Sequence, residues 1–408
     1  MLKSGHYAIY YVFRGNMLIS FIIPTKNNLQ YLKNAYNSIR KYYTQHEIVI
    51  LDDASSDGTG EWLKCLNDKN LTIHLNTNAP VGHTILYNIG VKMCRYNVFS
   101  IFHADMICGP NYIENLTKHL RDKTVVSATR IEPPLHPTGK EKITKNFGMN
   151  HDDINFKEFK DFCLITQKEN ENVTTKGIFA PWLMYKNDFL IIGGHDEVFA
   201  PFPFEDSDIF QRFILNGYNI IQSRDSLVYH LTCRGHRWTE QIQKDDDYYK
   251  QCVDRNSKNF LRKWGSWIKN DEYSYPIIKN KYDIGLIIRN CNEQLLAALE
   301  PMFSTIYTDC QFNDYIKFNQ PNTKFNLTKR IQSINTDKTN DIIIEFDAKQ
   351  LNQENFSFLT TQLTDVIIES GEVGTLEYDI FKFTINQLNP LQNRLITTTD
   401  PHYTSQLL

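Results

Sequence analysis

In the first hundred residues, short apolar runs alternate with segments of helical periodicity. The apolar runs predict strands at 18–23, 47–51, 71–75 and 98–102, and the periodic segments predict helices at 29–43, about 59–66 and 84–94. This alternation implies parallel strands joined by right-handed crossovers, which places the chain in the α/β class. Ligands of such sheets bind outside the carboxyl ends of the strands. Polar residues at those ends are therefore the first candidates for function.

The chain has 408 residues, too many for one ordinary domain. We expect a leader at 1–16, a first α/β domain at 17–268, a charged linker at 269–280 and a smaller α/β domain at 281–408. Within the first domain, the polar and proline-rich stretch 132–175 predicts loops. In the second domain, strands are predicted at 282–288, 341–346, 366–369 and 378–385, with helices at 292–303 and 353–364. We detect no internal repeat in the sequence.

Composition narrows the class of protein. Lys and Arg number 44 against 47 Asp and Glu, and this balance offers no global attraction for nucleic acid or an anionic membrane. The cysteines form no CxxC pair, which favours reduced thiols in a cytosol-like compartment. No apolar run approaches the roughly 20 residues of a membrane helix, and 1–16 lacks the pattern of a signal peptide. We therefore expect a cytoplasmic protein.

Two polar clusters follow the first two predicted strands. Pro24-Thr25 comes after the first strand, and Asp52-Asp53 ends the second. An aspartate in this position can accept hydrogen bonds from the base or ribose of a nucleotide. Capping of the following helix is the alternative, and the residues alone leave both interpretations open.

Two further clusters are acidic. His103-Ala104-Asp105 follows the fourth strand, where a carboxylate suits a hard divalent cation that is shared with a substrate phosphate. A turn residue is the alternative. Glu205-Asp206 is a pair of adjacent carboxylates that could raise one another's pKa and provide a general base. The start of a helix, with acidic residues favoured by its dipole, explains the pair equally well.

His230, Arg234 and Arg237 form the last cluster. A neutral imidazole can complete a metal site, and two arginines can clamp a diphosphate. A structural histidine at a strand end is the alternative for His230. The joint occurrence of all these clusters in one α/β domain favours the functional interpretation over the structural one.

Taken together, the motifs resemble the family 2 glycosyltransferases of the GT-A fold. The resemblance covers roughly residues 17–240. Its motifs are Ile22-Ile23-Pro24-Thr25-Lys26-Asn27, Asp52-Asp53-Ala54-Ser55-Ser56-Asp57-Gly58-Thr59, His103-Ala104-Asp105, Gly193-Gly194-His195-Asp196-Glu197 and Glu205-Asp206. It implies a GT-A domain, a Rossmann-like nucleotide-diphospho-sugar transferase fold, followed by the smaller α/β domain. It also implies inverting transfer of a sugar from a nucleotide-diphosphate donor, most often UDP, to a hydroxyl of a glycan or other acceptor.

The resemblance assigns the nucleotide-binding residues. By motif position, Pro24 and Thr25 line the uracil pocket, and Asp53 hydrogen-bonds the base or ribose. Arg234 and Arg237 lie in a stretch that partly resembles the Q-x-x-R-W motif of processive members, and they would contact the diphosphate. Those members have membrane helices, so we expect a non-processive enzyme here.

The resemblance also assigns the catalytic and metal-binding residues. Asp206 matches the catalytic base, with Glu205 beside it. Asp105 matches the last aspartate of the D-x-D motif, and it would bind Mn²⁺ or Mg²⁺ together with His230. His103, an additional candidate ligand, replaces the first aspartate of that motif. This departure predicts a weaker metal site.

Three other interpretations stay open. One is a degenerate fold that serves as a nucleotide- or glycan-binding scaffold, and it is motivated by His103 and by the absence of a cation just before Asn88. A sugar nucleotidyltransferase would need a glycine-rich first loop, and 24–27 has no glycine. An activity in 281–408 has no supporting cluster, so we expect that domain to bind the acceptor or a partner, or to form a homo-oligomer.

Overall fold

The computed structural model describes residues 17–232, 234 and 247–391. It confirms the predicted fold class, because a mixed α/β sheet is followed by a second, smaller α/β sheet. The leader at 1–16 lies outside the described residues. So does Arg237, one of the two candidate diphosphate-binding arginines.

The first sheet and its helices occupy most of the chain. Its strands are β1 (Ser20–Thr25), β2 (Glu47–Asp53), β3 (Leu71–Asn76), β4 (Val98–Ile101), β5 (Met106–Cys108), β6 (Thr124–Glu132), β7 (Lys142–Thr144), β8 (Thr174–Thr175), β9 (Trp182–Tyr185) and β10 (Asn219–His230). Its helices are α1 (Leu29–Tyr42), α2 (Thr59–Cys65), α3 (His83–Met93), α4 (Tyr112–Thr117), α5 (Phe156–Glu169), α6 (Lys186–Ile191), α7 (Glu205–Leu215) and α8 (Asp247–Trp264).

The strand order of the first sheet is β3-β2-β1-β4-β9-β6-β10-β5, with β7 beside β6 and β8 beside β10. The first four strands of that order are parallel, and β9 is antiparallel to both of its neighbours. Strand β2 is buried along its whole length, as expected of a central parallel strand with both faces covered. The carboxyl ends of β1, β2 and β4 consequently open onto one edge of the sheet.

The second sheet repeats part of this plan. Its strands are β11 (Ile284–Arg289), β12 (Thr305–Thr308), β13 (Ile331–Ser333), β14 (Ile342–Asp347), β15 (Gly374–Tyr378) and β16 (Phe381–Ile385). Its helices are α9 (Glu293–Leu299), α10 (Asn313–Asn319), α11 (Leu327–Arg330), α12 (Gln353–Ser357) and α13 (Leu363–Ser370). The order β13-β12-β11-β14-β16 matches β3-β2-β1-β4-β9 of the first sheet, with the fifth strand antiparallel in both. This shared topology was not visible as a repeat in the sequence.

Two local predictions are wrong. The stretch 132–175 is not only loop, because α5 forms within it and buries Phe159 and Cys163. The strand predicted at 366–369 belongs instead to α13, which follows a π-helical turn at Phe358–Gln362.

Helix α8 joins the two sheets. The guanidinium of Arg262 lies 2.7 Å from the carboxylate of Glu300 in the second sheet's domain, and Arg330 contacts the same carboxylate at 2.7 Å. All three residues are at most 2% exposed. Phe260 and Trp264 of α8 also pack in one apolar cluster with Phe325. The elements around the second sheet therefore pack on α8 through a buried interface.

Candidate active site

Three side chains meet at the carboxyl end of β4. One ligand atom each from His103, Asp105 and His230 lies within 4.8 Å of the others. His103 and Asp105 follow β4, and His230 ends β10, so the two strands bring together residues far apart in the chain. Two imidazoles and one carboxylate are a donor set that a divalent cation can use. The sequence predicted all three as candidate ligands, and the structure places them together.

Glu132, which no sequence motif identifies as a site residue, supports this cluster. Its carboxylate lies 3.1 Å from Nδ1 of His230, which leaves Nε2 directed to Asp105 at 3.5 Å. Lys142 and Arg130 hold Glu132 in turn, at 2.9 and 3.3 Å. A carboxylate behind a histidine ring is the usual arrangement around a metal-binding imidazole, because it fixes the ring and its tautomer.

The two candidate catalytic carboxylates begin α7. Glu205 is 5% exposed, and its Oε1 lies 2.7 Å from Nε2 of His83 at the start of α3. Asp206 is partly exposed, and within the described part of the chain no hydrogen bond reaches its carboxylate. No local sequence pattern marks His83 as a site residue. Only the folded chain brings α3 against the loop that precedes α7.

The pKa values of the two carboxyl groups are driven apart. Burial would raise the pKa of Glu205, but the charge and hydrogen bond of His83 outweigh burial and lower it. Burial followed by repulsion from Glu205 raises the pKa of Asp206 to about 7. For His83, burial is outweighed by Glu205, which raises its pKa. One carboxylate is thus held charged beside a second that titrates near neutrality, the arrangement expected of a general base.

Tyr87 lies between the carboxylates of Glu205 and Asp206 and the metal-type cluster, which consists of His103, Asp105 and His230. Its ring lies 5.5 Å from the ring of His83 and 6.4 Å from that of His103. Burial and then the charges of Asp206, Glu205 and Asp105 raise the pKa of its hydroxyl. Tyr87 therefore stays neutral between the two groups, and both belong to one site.

The loop before α7 is held by α8. Nδ2 of Asn256 donates to the carbonyls of Phe199 and Phe202 at 2.7 and 2.9 Å. Phe204, the residue before the helix, has φ of 83°, a strained conformation for a bulky residue. These contacts fix the direction in which Glu205 and Asp206 leave the loop.

The candidate nucleotide residues lie at the carboxyl ends of β1 and β2. Pro24 and Thr25 end β1, and the hydroxyl of Thr25 donates to the side chain of Asn28. Asp53 is 3% exposed, and its oxygens accept from the backbone amides of Val81 and Gly82 at 2.9 and 2.8 Å.

Asp53 therefore shapes the turn that leads into α3. Gly82 is required in that turn, since its φ is 84° and a Cβ would lie 2.1 Å from Pro201. A ribose or base would have to share the oxygens of Asp53 with these two amides. At the same sheet edge, Oδ1 of Asp52 is buried and has no hydrogen-bond partner within the described residues.

Arg234 and Arg212 occupy different environments. The backbone amide of Arg234 donates to Asp105 at 3.2 Å, and its guanidinium donates to the carbonyl of Met149 at 2.7 Å. Arg212 is fully buried and donates to Asp208, Ile192 and Gly194, which makes it a structural residue. Arg234 thus lies beside the metal-type cluster.

Comparison with known families decides what kind of domain carries this site. Residues 20–180 match the family model described as "Glycosyl transferase family 2". The region 20–180 is therefore a family 2 glycosyltransferase region. The matched residues contain β1, β2, β4 and the His103-Ala104-Asp105 cluster, and the predicted family is thereby confirmed.

Curated relatives of this family 2 domain cover only parts of the chain. Glycosyltransferase GlyG of Streptococcus pneumoniae is 28% identical over 26% of this chain and 36% of its own length. The undecaprenyl-phosphate mannosyltransferase of Micrococcus luteus is 26% identical over 29% of this chain and 50% of its own length. An uncharacterized protein of Sinorhizobium fredii is 23% identical over 60% of this chain, yet this chain covers only 28% of that relative. The chain spans half or less of the length of these relatives.

Solved structures that resemble the chain include two complexes that contain Mn²⁺. GalNAc-T7 with UDP, GalNAc and Mn²⁺ has 13% identity and a TM-score of 0.41 over 61% of this chain and 51% of that one. The mannosyltransferase PcManGT from Pyrobaculum calidifontis with GDP-Man and Mn²⁺ has 17% identity and a TM-score of 0.39, over 60% and 61%. Across the part of this chain that the structure describes, none of the helices is both long and apolar enough to cross a bilayer.

Proposed function

We propose that this chain is an inverting glycosyltransferase that moves a sugar from a UDP-sugar donor to a hydroxyl of a glycan or other acceptor. Asp206 is the general base, and Asp105, His230 and His103 hold Mn²⁺ or Mg²⁺. The observation that carries this proposal is the state of Asp206. The residue is partly exposed, its carboxylate is not hydrogen-bonded to any described residue, and its pKa is raised to about 7.

Asp206 removes the proton of the acceptor hydroxyl as that oxygen attacks the anomeric carbon. A base with a pKa near the working pH combines a populated charged form with enough basicity to accept the proton. Attack from the face opposite the departing nucleotide inverts the anomeric centre. Glu205 remains charged against His83 at 2.7 Å, and its repulsion keeps the pKa of Asp206 high.

The donor set at 103, 105 and 230 fits a divalent cation. His230 receives the support of Glu132 on one ring nitrogen and directs the other toward Asp105. When bound there, the cation supplies neutralisation of the charge that develops on the leaving diphosphate. Arg234 fixes Asp105 through its backbone amide, and Pro24 and Thr25 lie where the nucleoside would enter.

Thermal unfolding with UDP, GDP and dTDP, each with and without Mn²⁺, tests the donor site. A ligand at 100 times its dissociation constant stabilises the folded state by about 2.7 kcal/mol, which is readily measured as a shift in Tm. We expect UDP with Mn²⁺ to give the largest shift. The corresponding UDP-sugars would then be assayed for release of UDP in the presence of acceptor glycans.

The same experiment addresses the scaffold alternative, which His103 in place of an aspartate favours. A nucleotide-dependent shift without sugar transfer to any acceptor would assign the chain to nucleotide binding alone. The lack of a shift with all three nucleotides would reject the proposed donor site. A larger shift with GDP than with UDP would correct the donor and leave the roles of Asp206 and the metal ligands standing.

A further inference from the structure

The second domain contains a cavity of about 470 Å³, within the range of small-ligand sites. It lies between α12, the π-helical turn at Phe358–Gln362 and the hairpin of β15 and β16. It is distant in sequence from every residue assigned above to donor binding or catalysis. A π-helical turn is uncommon and is frequently found at functional sites.

An exposed aromatic ring forms one wall of this cavity. Tyr378 is 50% exposed. Its ring stacks on that of Phe358 with the centroids 4.9 Å apart, and Phe358 in turn stacks on Phe381 at 5.6 Å. The two phenylalanines are buried, so they hold the tyrosine ring in a fixed orientation. A rigid apolar face of this kind suits the C–H face of a sugar ring.

The rest of the lining is polar without any cation. Gln353, Glu354 and Gln362 line the cavity with exposed side chains, and no described residue hydrogen-bonds them. None of the lining residues is a lysine, arginine or histidine. Amide and carboxylate groups offer hydrogen bonds to neighbouring hydroxyls, whereas the acidic lining repels a phosphate.

Asp379 is held in this cavity by the hairpin turn. It lies between β15 and β16 with φ of 52°, a left-handed conformation that aspartate adopts more readily than most residues. Its carboxylate accepts a hydrogen bond from Nδ2 of Asn355. Oδ1 of Asn355 accepts from the backbone of Asn352 in the capping box of α12, so the amide that orients Asp379 is itself fixed.

We propose that this cavity binds an uncharged glycan, with Tyr378 under a sugar ring and the surrounding amides and Asp379 on its hydroxyls. The site holds part of the acceptor away from the catalytic centre, a role that rests on the proposed function, whereas sugar binding itself does not. A nucleotide is disfavoured because the lining has two carboxylates and no cation. A basic peptide would be compatible with the two carboxylates, but it would not provide the hydroxyl groups that the side-chain amides can hydrogen-bond.

A glycan microarray probed with the full chain tests this proposal. We expect retention of a defined set of neutral oligosaccharides, and Tyr378→Ala should weaken it by about tenfold, the loss expected for one aromatic contact. Gln362→Ala should weaken retention as well, and this second variant keeps the test valid if Tyr378→Ala folds poorly. Glu377→Gln is the matched control, because the neighbouring residue on β15 points to the opposite face of the strand.

Equal retention by Tyr378→Ala, Gln362→Ala and the unaltered chain would overturn the proposal, and so would retention of no oligosaccharide. Retention of oligolysine instead of glycans would overturn it too, and would assign the cavity to basic peptides. Nucleotide thermal shifts on the same preparations separate this result from the proposed function. A normal UDP shift without glycan retention rejects the cavity alone, and glycan retention without any nucleotide shift rejects the donor site alone.

Discussion

Nε2 of His83 lies 2.7 Å from Oε1 of Glu205, and this contact sets the electrostatics beside the candidate base. The contact holds Glu205 in its charged form although the residue is buried. The resulting negative charge adjoins Asp206 in the first turn of α7 and contributes to its raised pKa. His83 therefore acts on Asp206 in two opposed ways: it keeps Glu205 charged, which raises the pKa of Asp206, and its own charge lowers that pKa.

The rate of sugar transfer should depend on pH through the ionisation of Asp206. Asp206 must be deprotonated to act, so kcat/KM should rise with pH through about 7. Glu205→Gln removes a charge that raises the pKa of Asp206, and the midpoint of this rise should move to lower pH. The measurement is a pH profile of UDP release for both proteins. An unchanged midpoint in Glu205→Gln would contradict the role given to Glu205.

Asp206→Asn should separate activity from stability. We expect transfer to fall by about 10²–10⁴-fold, the usual contribution of a general base. In the folded chain the pKa of Asp206 is raised above its unfolded value, so its ionisation costs stability as pH rises from about 4 to about 7. One pKa unit corresponds to about 1.4 kcal/mol, so the substitution should stabilise the protein by up to about 4 kcal/mol at pH 8 and have no effect at pH 3.

Urea unfolding of Asp206→Asn at the two pH values checks this expectation. Asp122→Asn, at an exposed aspartate, is the matched control and should change neither stability nor transfer. Full activity of Asp206→Asn would remove Asp206 from the mechanism.

Replacement of His83 should destabilise the protein in a pH-dependent manner. His83→Gln leaves Glu205 buried without its charged partner, which we expect to cost about 2 kcal/mol at pH 6. The pKa of His83 is raised in the folded chain, so its stabilisation is complete below about 6.5 and is lost as pH rises through the folded value. The cost should therefore be smaller at pH 9. His74→Gln, on edge strand β3, serves as control, and an equal cost at both pH values would contradict the charged pair.

The architecture of the first sheet could be predicted because a local pattern of apolar residues marks its first strands. β1 and β2 are continuous apolar runs, and their burial follows from that pattern alone. Helix α5 could not be predicted in the same way. Only Phe159 and Cys163 provide it with buried apolar side chains, and its other exposed and charged residues resemble a loop.

The site could be predicted only where a motif marked it. His103, Asp105 and His230 were candidates from their positions, and the structure brings them together. The contact between His83 and Glu205 joins residues 122 positions apart, and neither residue has a local pattern that identifies the other. Supporting residues of this kind become visible only when the strands and helices are placed in space.

The Mn²⁺-dependent stabilisation by UDP should depend on the carboxylate of Asp105. Asp105→Asn keeps the size of the side chain but removes the charged oxygen of the cluster, so it should abolish the Mn²⁺-dependent part of the UDP shift in Tm. Asp122→Asn again provides the control, since it is an exposed aspartate outside the cluster. A Mn²⁺-dependent shift of unchanged size in Asp105→Asn would place the cation elsewhere.

The buried contact between Glu300 and its two arginines should contribute strongly to the stability of the chain. Glu300 accepts from Arg262 of α8 and from Arg330, and its loss leaves two buried guanidinium groups without their carboxylate. Glu300→Ala should therefore cost about 3–5 kcal/mol in the free energy of unfolding. Burial is outweighed by the two arginines, which lower the pKa of Glu300 to about 2, so this stabilisation is present above about 4.5 and is lost as pH falls toward 2.

Urea unfolding of Glu300→Ala at pH 7 and pH 3 measures this contribution, with Glu171→Ala as the exposed control.

The same contact predicts the result of cutting the chain at Lys269. The cut removes the partners of Arg262 and Phe260 on α8, the helix that also holds the loop before Asp206 through Asn256. We expect the fragment 17–268 to lose both stability and transfer. A fragment that unfolds at the same urea concentration as the full chain would show that α8 is held by the first domain alone.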